Sequence, residues 1–167
     1  MRYVRIVFIL FSLVMLNSCG QDGFSSQAEI SSKLLDALKK QDFASMIKLI
    51  PNKKDIKLAV KLYQGGKYTK DEFEQLAESR QEALLLQMDI DYKKVEQDFK
   101  DKNFDIQHAV LKDSRYQDNQ TVDNYKISTV ELILKNGDAQ CILVYNALTI
   151  SGRWFLDKDM KVRDITN

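Results

Sequence analysis

Apolar positions divide the chain into a helix-like first half and a strand-like second half. Between residues 27 and 40, Ile30, Leu34 and Leu38 recur at four-residue intervals. This spacing places them on one face of an α-helix. The pattern therefore predicts an amphipathic helix over residues 27–40.

Two of the predicted helices begin with a capping box, in which Ser or Thr is followed three residues later by Glu. Ser26 stands before Glu29, and Thr69 stands before Glu72. In such a box each side chain satisfies a backbone N–H at the helix start. We therefore expect helix starts at both positions.

Two shorter helices are predicted between these starts. Residues 43–50 continue the helical spacing and stop at Pro51. Residues 55–63 form a third helix, which Gly65 and Gly66 would end, because proline and glycine interrupt helices.

The longest predicted helix runs from Thr69 to about Phe99. Apolar residues follow each other at three- and four-residue steps along it, with Lys and Glu on the opposite face. Thirty helical residues span about 45 Å. Since this exceeds what a small domain needs, the length favours a bend near Asp89–Asp91.

The hydrophobic period shortens to two after Asn103, which indicates strands. Asn136-Gly137 is a strong hairpin signal, and Tyr116 is assigned to a loop before the sheet. The first predicted strand covers residues 104–110, with His108 in phase with its apolar neighbours, and the second covers 121–135, with a bulge near Tyr125. The third covers 139–150 and is apolar in both phases. A last strand begins at 153–156 and resumes at 161–165.

Helices followed by a strand meander predict an α+β fold. N-terminal helices would pack on a C-terminal curved antiparallel sheet of about four strands, in a single domain over residues 27–167. A chain of this length buries enough surface to fold without a metal or a disulfide.

Composition changes the picture by exclusion. The 167 residues include 25 basic and 24 acidic side chains, for a formal charge of +1. A nucleic-acid-binding protein usually carries a basic excess, so nucleic acid is not an expected partner. The chain has one apolar run, at its N-terminus, which argues against several membrane spans.

The N-terminus has the organisation of a secretory signal. Arg2 and Arg5 precede an apolar stretch over residues 6–16, and small residues and Cys19 follow. This order of basic, apolar and small residues is typical of export signals. The apolar run is shorter than the roughly 20 residues of a membrane-spanning helix.

The end of this signal resembles the lipobox of bacterial lipoproteins. Leu16 stands three residues before Cys19 and Ser18 directly before it, whereas Asn17 departs from the usual middle residue. The resemblance implies that Cys19 carries a diacylglycerol thioether. Residues 1–18 would then be the signal peptide, and residues 19–26 the lipidated cysteine with a short linker.

The same resemblance implies a place in the cell envelope. Gly20 follows Cys19 where an Asp would favour retention in the inner membrane, so the outer membrane is favoured, on its periplasmic or its surface face. The alternative is an ordinary cleaved signal or an uncleaved anchor in which Cys19 is an incidental thiol. Export would also allow Cys19 to pair with Cys141; if Cys19 is acylated, Cys141 is a buried apolar residue.

No set of residues carries a catalytic or metal-binding signature. The chain has a single His, and a zinc site needs three or four ligands. Cys141 and His108 are the sole Cys/His pair of the domain, and Cys141 lies within an apolar run that predicts burial. Gly65-Gly66 lacks the residues of a phosphate-binding loop. We therefore expect no metal, no cofactor and no catalytic residue.

The predicted domain resembles the cystatin-like or nuclear-transport-factor-like folds. The resemblance rests on the helix break between Leu38 and Phe43, the hairpin-rich second half and the closing Gly152-Arg153-Trp154 strand. The long helical half departs from it and leaves open a helical bundle packed on another kind of sheet.

Such folds often enclose a pocket between the concave sheet face and the helices. The candidates for lining it are His108, Tyr125, Tyr145 and Trp154. The alternative is that these side chains fill the core, where small domains bury most of their aromatic residues.

These features together predict an envelope lipoprotein with a non-catalytic domain that binds a protein or a small ligand. Two alternatives stay open. One is an immunity or inhibitor lipoprotein directed at a secreted toxin. The other is an enzyme that uses carboxylate or Tyr side chains in a pocket of the sheet.

Overall fold

The computed structural model describes residues 23–64, 68–122 and 125–165. The predicted signal peptide, Cys19 and the helix stop at Gly65-Gly66 lie outside the described residues, as does the side chain of Tyr125.

The helical half agrees with the pattern of apolar positions. The α-helices are α1 Gln27–Lys39, α2 Phe43–Met46, α3 Lys53–Gln64 and α4 Lys70–Asp101, and 3₁₀ turns cover Ile47–Leu49 and Ile106–His108. None of the described helices has the length and apolarity of a membrane span.

Side-chain caps form at the two helix starts where the sequence predicts capping boxes. Thr69 and Glu72 form the complete capping box that precedes α4. At α1, the Ser26 hydroxyl accepts the Glu29 N–H at 3.2 Å, as predicted. The Glu29 carboxylate instead accepts from the backbone N–H and the hydroxyl of Ser25, at 2.9 and 2.8 Å.

Helix α4 is one continuous helix. It includes Asp89–Asp91, the segment at which the length of the helix led us to expect a bend. Met88, Tyr92, Val95 and Phe99 share one side of it and are buried. Since each successive turn contributes a buried residue, the second half of the helix stays against the domain without interruption.

The second half of the chain forms one antiparallel sheet, which confirms the α+β fold class. Its strands are β1 Val110–Val122, β2 Tyr125–Asn136, β3 Ala139–Ile150, β4 Arg153–Leu156 and β5 Lys161–Asp164. The order is β1-β2-β3-β4, and β5 also pairs with β3. Strands β4 and β5 lie end to end on the same edge of β3, as the interrupted last strand predicts.

The predicted strand over 104–110 is wrong. Ile106–His108 is a 3₁₀ turn, and β1 begins only at Val110. The carboxylate of Asp105 accepts the Gln107 N–H at 2.9 Å and lies 2.6 Å from His108 Nδ1. Local bonds of this kind compete with strand pairing, and they hold this segment in a turn.

Strand β1 is the element that the apolar pattern did not reveal. Tyr116, assigned to a loop, lies within it. From Val110 to Asn119 every side chain except that of Ser114 is exposed. A strand with both faces in solvent has no alternating apolar pattern, so its sequence reads as polar loop.

The predicted bulge near Tyr125 is also corrected. Val122 ends β1 and faces Tyr125, the first residue of β2, so the change of phase marks the end of a strand. The register shifts lie in β1, where Lys112 and Asn119 are the extra residues. Bulges and charged residues are common on edge strands, because they discourage pairing with other chains.

The two faces of the sheet are covered differently. The inner face carries Val130, Leu132, Leu143 and Tyr145 and belongs to the main core with α1 and the second half of α4. The outer face carries Ile127, Leu148 and Ile150, which pack with Phe155 and with Ala59 of α3. Strand β3 is therefore apolar in both phases, as predicted.

Candidate functional site

The structure does not gather the predicted pocket residues around one cavity. His108 is exposed on the 3₁₀ turn before β1. Tyr145 is fully buried on the inner face, where its hydroxyl lies 2.7 Å from Ser31 Oγ. Trp154 is half-buried on β4 beside Phe24. Tyr145 thus fills the core, as in the alternative interpretation.

The structure places Cys141 and His108 in different environments. Cys141 is a buried free thiol in the main core. Burial raises the pKa of this thiol to about 12, which keeps it protonated and poor as a nucleophile. His108 contacts Asp105 at the surface, so it does not lie with the apolar residues with which it stands in phase. The described part of the chain contains no cluster of three or more potential metal ligands.

A concave surface, here called the groove, lies on the outer face of the sheet, between that face and α3 and α4. It has two halves, which share Gln87 of α4. The apolar half encloses about 680 Å³, within the range of small-molecule sites. It is lined by Pro51, Ile56, Ala59, Arg80, Ala83, Leu84, Gln87, Ile127, Leu148, Ile150, Asp157 and Lys158.

The polar half lies next to it along the same strands. On β2 the outer face passes from Ile127 to Thr129, and on β3 from Leu148 to Asn146. This half encloses about 540 Å³. Its lining consists of Gln87, Ile90, Asp91, Lys94, Asn119, Thr129, Val144, Asn146, Asp159, Met160 and Lys161.

A row of side-chain hydrogen bonds crosses the sheet in the polar half. Asn119 Nδ2 donates to Thr129 Oγ1 at 2.6 Å, and Thr129 Oγ1 donates to Asn146 Oδ1 at 3.0 Å. Asn146 Nδ2 then donates to Asp159 Oδ2 at 3.3 Å. Bonds between side chains are a minority in proteins, and this row orients four polar groups of four chain segments.

Asp91 of α4 fixes the loop between β4 and β5 at the end of this row. Its Oδ2 accepts the backbone N–H groups of Asp159 and Met160 at 2.7 and 3.1 Å. Its Oδ1 accepts from Gln87 Nε2 at 2.8 Å. Asp91 is 4% exposed. The wall of the groove is therefore held by a buried carboxylate that has three hydrogen bonds.

Basic side chains surround the groove. Arg80 and Lys158 line the apolar half, and Lys94 and Lys161 line the polar half. Asp157 lies at the apolar half, and burial raises the pKa of its carboxyl, against the opposing effect of the Lys158 N–H and charge.

The raised pKa of Asp157 predicts a pH-dependent cost to stability. Folding disfavours the ionised carboxyl, so this cost is absent below the unfolded pKa of about 4 and grows as pH rises toward the folded pKa. We expect Asp157→Asn to unfold at a higher urea concentration than wild type at pH 7. The difference should shrink as pH falls below about 4.

The control for this experiment is Asp138→Asn, which removes one charge from an exposed turn between β2 and β3. Urea midpoints are compared from pH 3 to pH 8. If Asp157→Asn and Asp138→Asn show the same pH dependence relative to wild type, the proposed effect of burial on Asp157 is wrong.

Comparison with protein-family models, curated proteins and solved structures finds no match. The resemblances to lipoproteins and to cystatin-like folds therefore stay predictions, and the site is argued from its own geometry.

Sequence reasoning missed this groove because its residues come from separate elements. Thr129 and Asn146 did carry a signal, since they are polar positions inside otherwise apolar strands and directly face each other. Pairing β2 with β3 through the Asn136-Gly137 hairpin would have placed the two side by side. Asn119 carried no such signal, because β1 itself was not recognised.

Proposed function

We propose that this protein is an envelope lipoprotein, anchored through Cys19, whose α+β domain is a non-catalytic binding module. The groove on the outer face of the sheet is the proposed binding site. The outer membrane is the proposed location, for the reason that the residue after Cys19 is Gly20.

One observation carries the proposal: the chain joins the sheet almost directly after the lipobox-like cysteine. Phe24 N donates to Trp154 O at 2.9 Å, and Trp154 N donates to Phe24 O at 2.8 Å. An extended chain covers at most about 17 Å over the five residue steps from Cys19 to Phe24. A lipid on Cys19 would therefore hold the β3–β4 turn close to the membrane surface.

The contacts of Gly23 support a fixed attachment. Its φ is +99°, which glycine adopts without strain. A Cβ atom there would lie 2.5 Å from Phe155 Cζ, and the Arg153 guanidinium donates to the Gly23 carbonyl. Gly23, the first described residue, is thus packed on β4.

The placement of the reactive groups supports binding rather than catalysis. Cys141 lies in the core, and His108 lies on a surface turn outside the groove. The alternative of a pocket enzyme would require a carboxyl with a perturbed pKa beside a Tyr. Asp157 has such a pKa, but no Tyr whose side chain is described lines the groove. An immunity or inhibitor role would differ only in having a protein as the occupant.

The test of the anchor is Cys19→Ala, expressed in a diderm host beside wild type. We expect wild type to fractionate with membranes and to have the intact mass of a chain that starts at Cys19 and carries acyl groups. The Cys19→Ala protein should lose the acyl mass and the membrane association, because the buried acyl chains supply the attachment.

The matched control is Cys141→Ala, which removes the other thiol and should stay in the membrane fraction. An unlipidated wild-type mass, with wild type and Cys19→Ala fractionating alike, would contradict the anchor.

A further inference from the structure

We propose that the outward-facing side of α4 binds a second copy of this chain, so that the two α4 helices pack antiparallel. This side is called the ridge, and it consists of six residues: Ser79, Ala83, Leu86, Ile90, Lys93 and Gln97. The inference goes beyond the proposed function and does not depend on it, because it requires neither the anchor nor a ligand in the groove.

The first argument is the position of the ridge on α4. Successive residues of a helix are about 100° apart, because one turn holds 3.6 residues. Leu86 and Ile90 are each two residues from Met88, so they lie about 200° around the helix from it. Met88 is completely buried in the main core. The ridge therefore points away from the domain, where a second molecule can reach it.

The second argument is that large apolar side chains stand where a surface helix usually carries polar ones. All six residues of the ridge are exposed. Leu86 is 64% exposed and Ile90 is 50% exposed, so both would be stabilised by burial against another surface. The ridge positions follow each other at alternating steps of four and three residues. This is the spacing of the seam between two helices of a coiled coil.

The third argument is that the ridge complements itself when two copies run antiparallel. If Leu86 of one copy faces Ile90 of the other, two-fold symmetry repeats the same apolar contact. The same register pairs the remaining ridge residues, Ala83 with Lys93 and Ser79 with Gln97. A short side chain then faces a long one on either side of the apolar centre, which lets the helices approach closely. Shifting one helix by a heptad would instead place Ile90 opposite Ser79 or Lys93.

The fourth argument is charge complementarity. Glu82 is exposed beside Ala83 and forms no salt bridge with any described residue. In the antiparallel register Lys93 of the other copy lies opposite Ala83, so its ammonium can reach Glu82. Lys93 pairs with Asp89 of its own helix at 2.6 Å, and it can keep that contact because an ammonium has three N–H donors. Two-fold symmetry forms the new ion pair twice, which favours this partner and this register.

The size of the contact predicts a weak dimer. From Ser79 to Gln97 the ridge runs for about 27 Å, at 1.5 Å per residue. A contact with two large apolar side chains per copy falls below the roughly 800 Å² per partner of a standard stable complex. We therefore expect monomer and dimer to exchange, with the dimer favoured at high protein concentration.

The experiment is sedimentation equilibrium of the full-length protein in density-matched detergent, at concentrations from about 10 µM to 1 mM. We expect a reversible equilibrium between monomer and dimer. Leu86→Asp should raise the dissociation constant of the dimer at least about tenfold, because it places a charge at the apolar centre of the contact. Leu62→Asp is the matched control, since Leu62 is 49% exposed on α3, and it should leave the equilibrium unchanged.

Disulfide cross-linking tests the register. A mixture of Leu86→Cys and Ile90→Cys proteins should give more covalent dimer on mild oxidation than either protein alone, because the register places Leu86 opposite Ile90. A mixture of Leu58→Cys and Leu62→Cys proteins is the control. These two residues have the same spacing on α3 and are 39% and 49% exposed. Every sample contains the native cysteines, so the control also accounts for them.

Charge reversal tests the ion pair between the copies. Glu82→Lys and Lys93→Glu should each weaken the dimer about fivefold, because each change opposes two like charges across the contact. The two changes combined should restore most of the affinity, since the charges are then exchanged. An effect on the stability of α4 alone would not be rescued in this way.

A protein that stays monomeric at every concentration would overturn the second copy as the partner and leave the ridge to a different molecule. A dimer that ignores Leu86→Asp, or equal cross-linking in the two mixtures, would overturn the ridge as the contact. A combined Glu82→Lys and Lys93→Glu protein that dimerises no better than the single variants would overturn the antiparallel register. These results are independent of the acylation of Cys19 and of ligand binding in the groove.

Discussion

Tyr145→Ala is expected to lower the free energy of unfolding by about 3–5 kcal/mol, the usual loss for removing a buried aromatic side chain. Tyr145 is completely buried at the centre of the inner face, paired with Val130 of β2. Its hydroxyl lies 2.7 Å from Ser31 Oγ, which in turn donates to the Gln27 carbonyl at 2.8 Å. The substitution therefore leaves a cavity and breaks the link between β3 and α1.

Urea denaturation followed by circular dichroism measures this effect. Tyr145→Phe should cost only about 1 kcal/mol, since it keeps the ring and loses one hydrogen bond. Tyr116→Ala on β1 is the matched control, because Tyr116 is 40% exposed, so its removal leaves less buried space and should cost less than Tyr145→Ala. Equal losses for Tyr145→Ala and Tyr116→Ala would show that the inner face is not packed as described.

Asp91→Ala is expected to lower the free energy of unfolding by about 3 kcal/mol, because each buried N–H left without an acceptor costs about 1–3 kcal/mol. The N–H groups of Asp159 and Met160 would both lose their acceptor, and Gln87 would lose its own. The loop between β4 and β5 should loosen. Hydrogen exchange of the Asp159 and Met160 amides should become faster than in wild type.

Asp91→Asn separates hydrogen bonding from side-chain removal. Its amide oxygen can still accept the two backbone N–H groups, so a loss of about 1 kcal/mol is expected. Asp89→Ala is the control on the same helix, since Asp89 forms an exposed ion pair with Lys93, and such pairs contribute little. If Asp91→Ala behaves like Asp89→Ala, the carboxylate does not fix the loop.

The Asp91 variants also connect stability with the proposed site. Asp159 and Met160 line the polar half of the groove, and Asp91 positions both. Loosening this loop should therefore disturb the polar half of the groove.

The helical half could be predicted because its information is local. The period of Ile30, Leu34 and Leu38, the Thr69–Glu72 capping box and the stop at Pro51 each act within a few residues. Strand β3 was predictable for a similar reason, since its apolar residues in both phases indicate burial on both faces. The α+β class followed from the order of these elements.

The errors in the strand half have two physical causes. His108 stood in phase with apolar residues, but the bonds of Asp105 to Gln107 and His108 decided the local structure. In β1 the partner strand supplies the stabilisation, so the sequence itself needs no apolar pattern. Local side-chain bonds thus decided the first case, and tertiary pairing decided the second.

The amino-acid sequence alone determined the helices, the α+β class and the lipobox-like end, because short-range periodicity and local signals encode them. Only the tertiary structure decided the β1 pairing, the burial of Tyr145 against Ser31 and the attachment of Gly23 and Phe24 to β4. It also decided the groove, in which Asn119, Thr129, Asn146, Asp159 and Asp91 come from five separate segments. Contacts between residues far apart in the chain depend on how elements pack, and no spacing along the sequence records that.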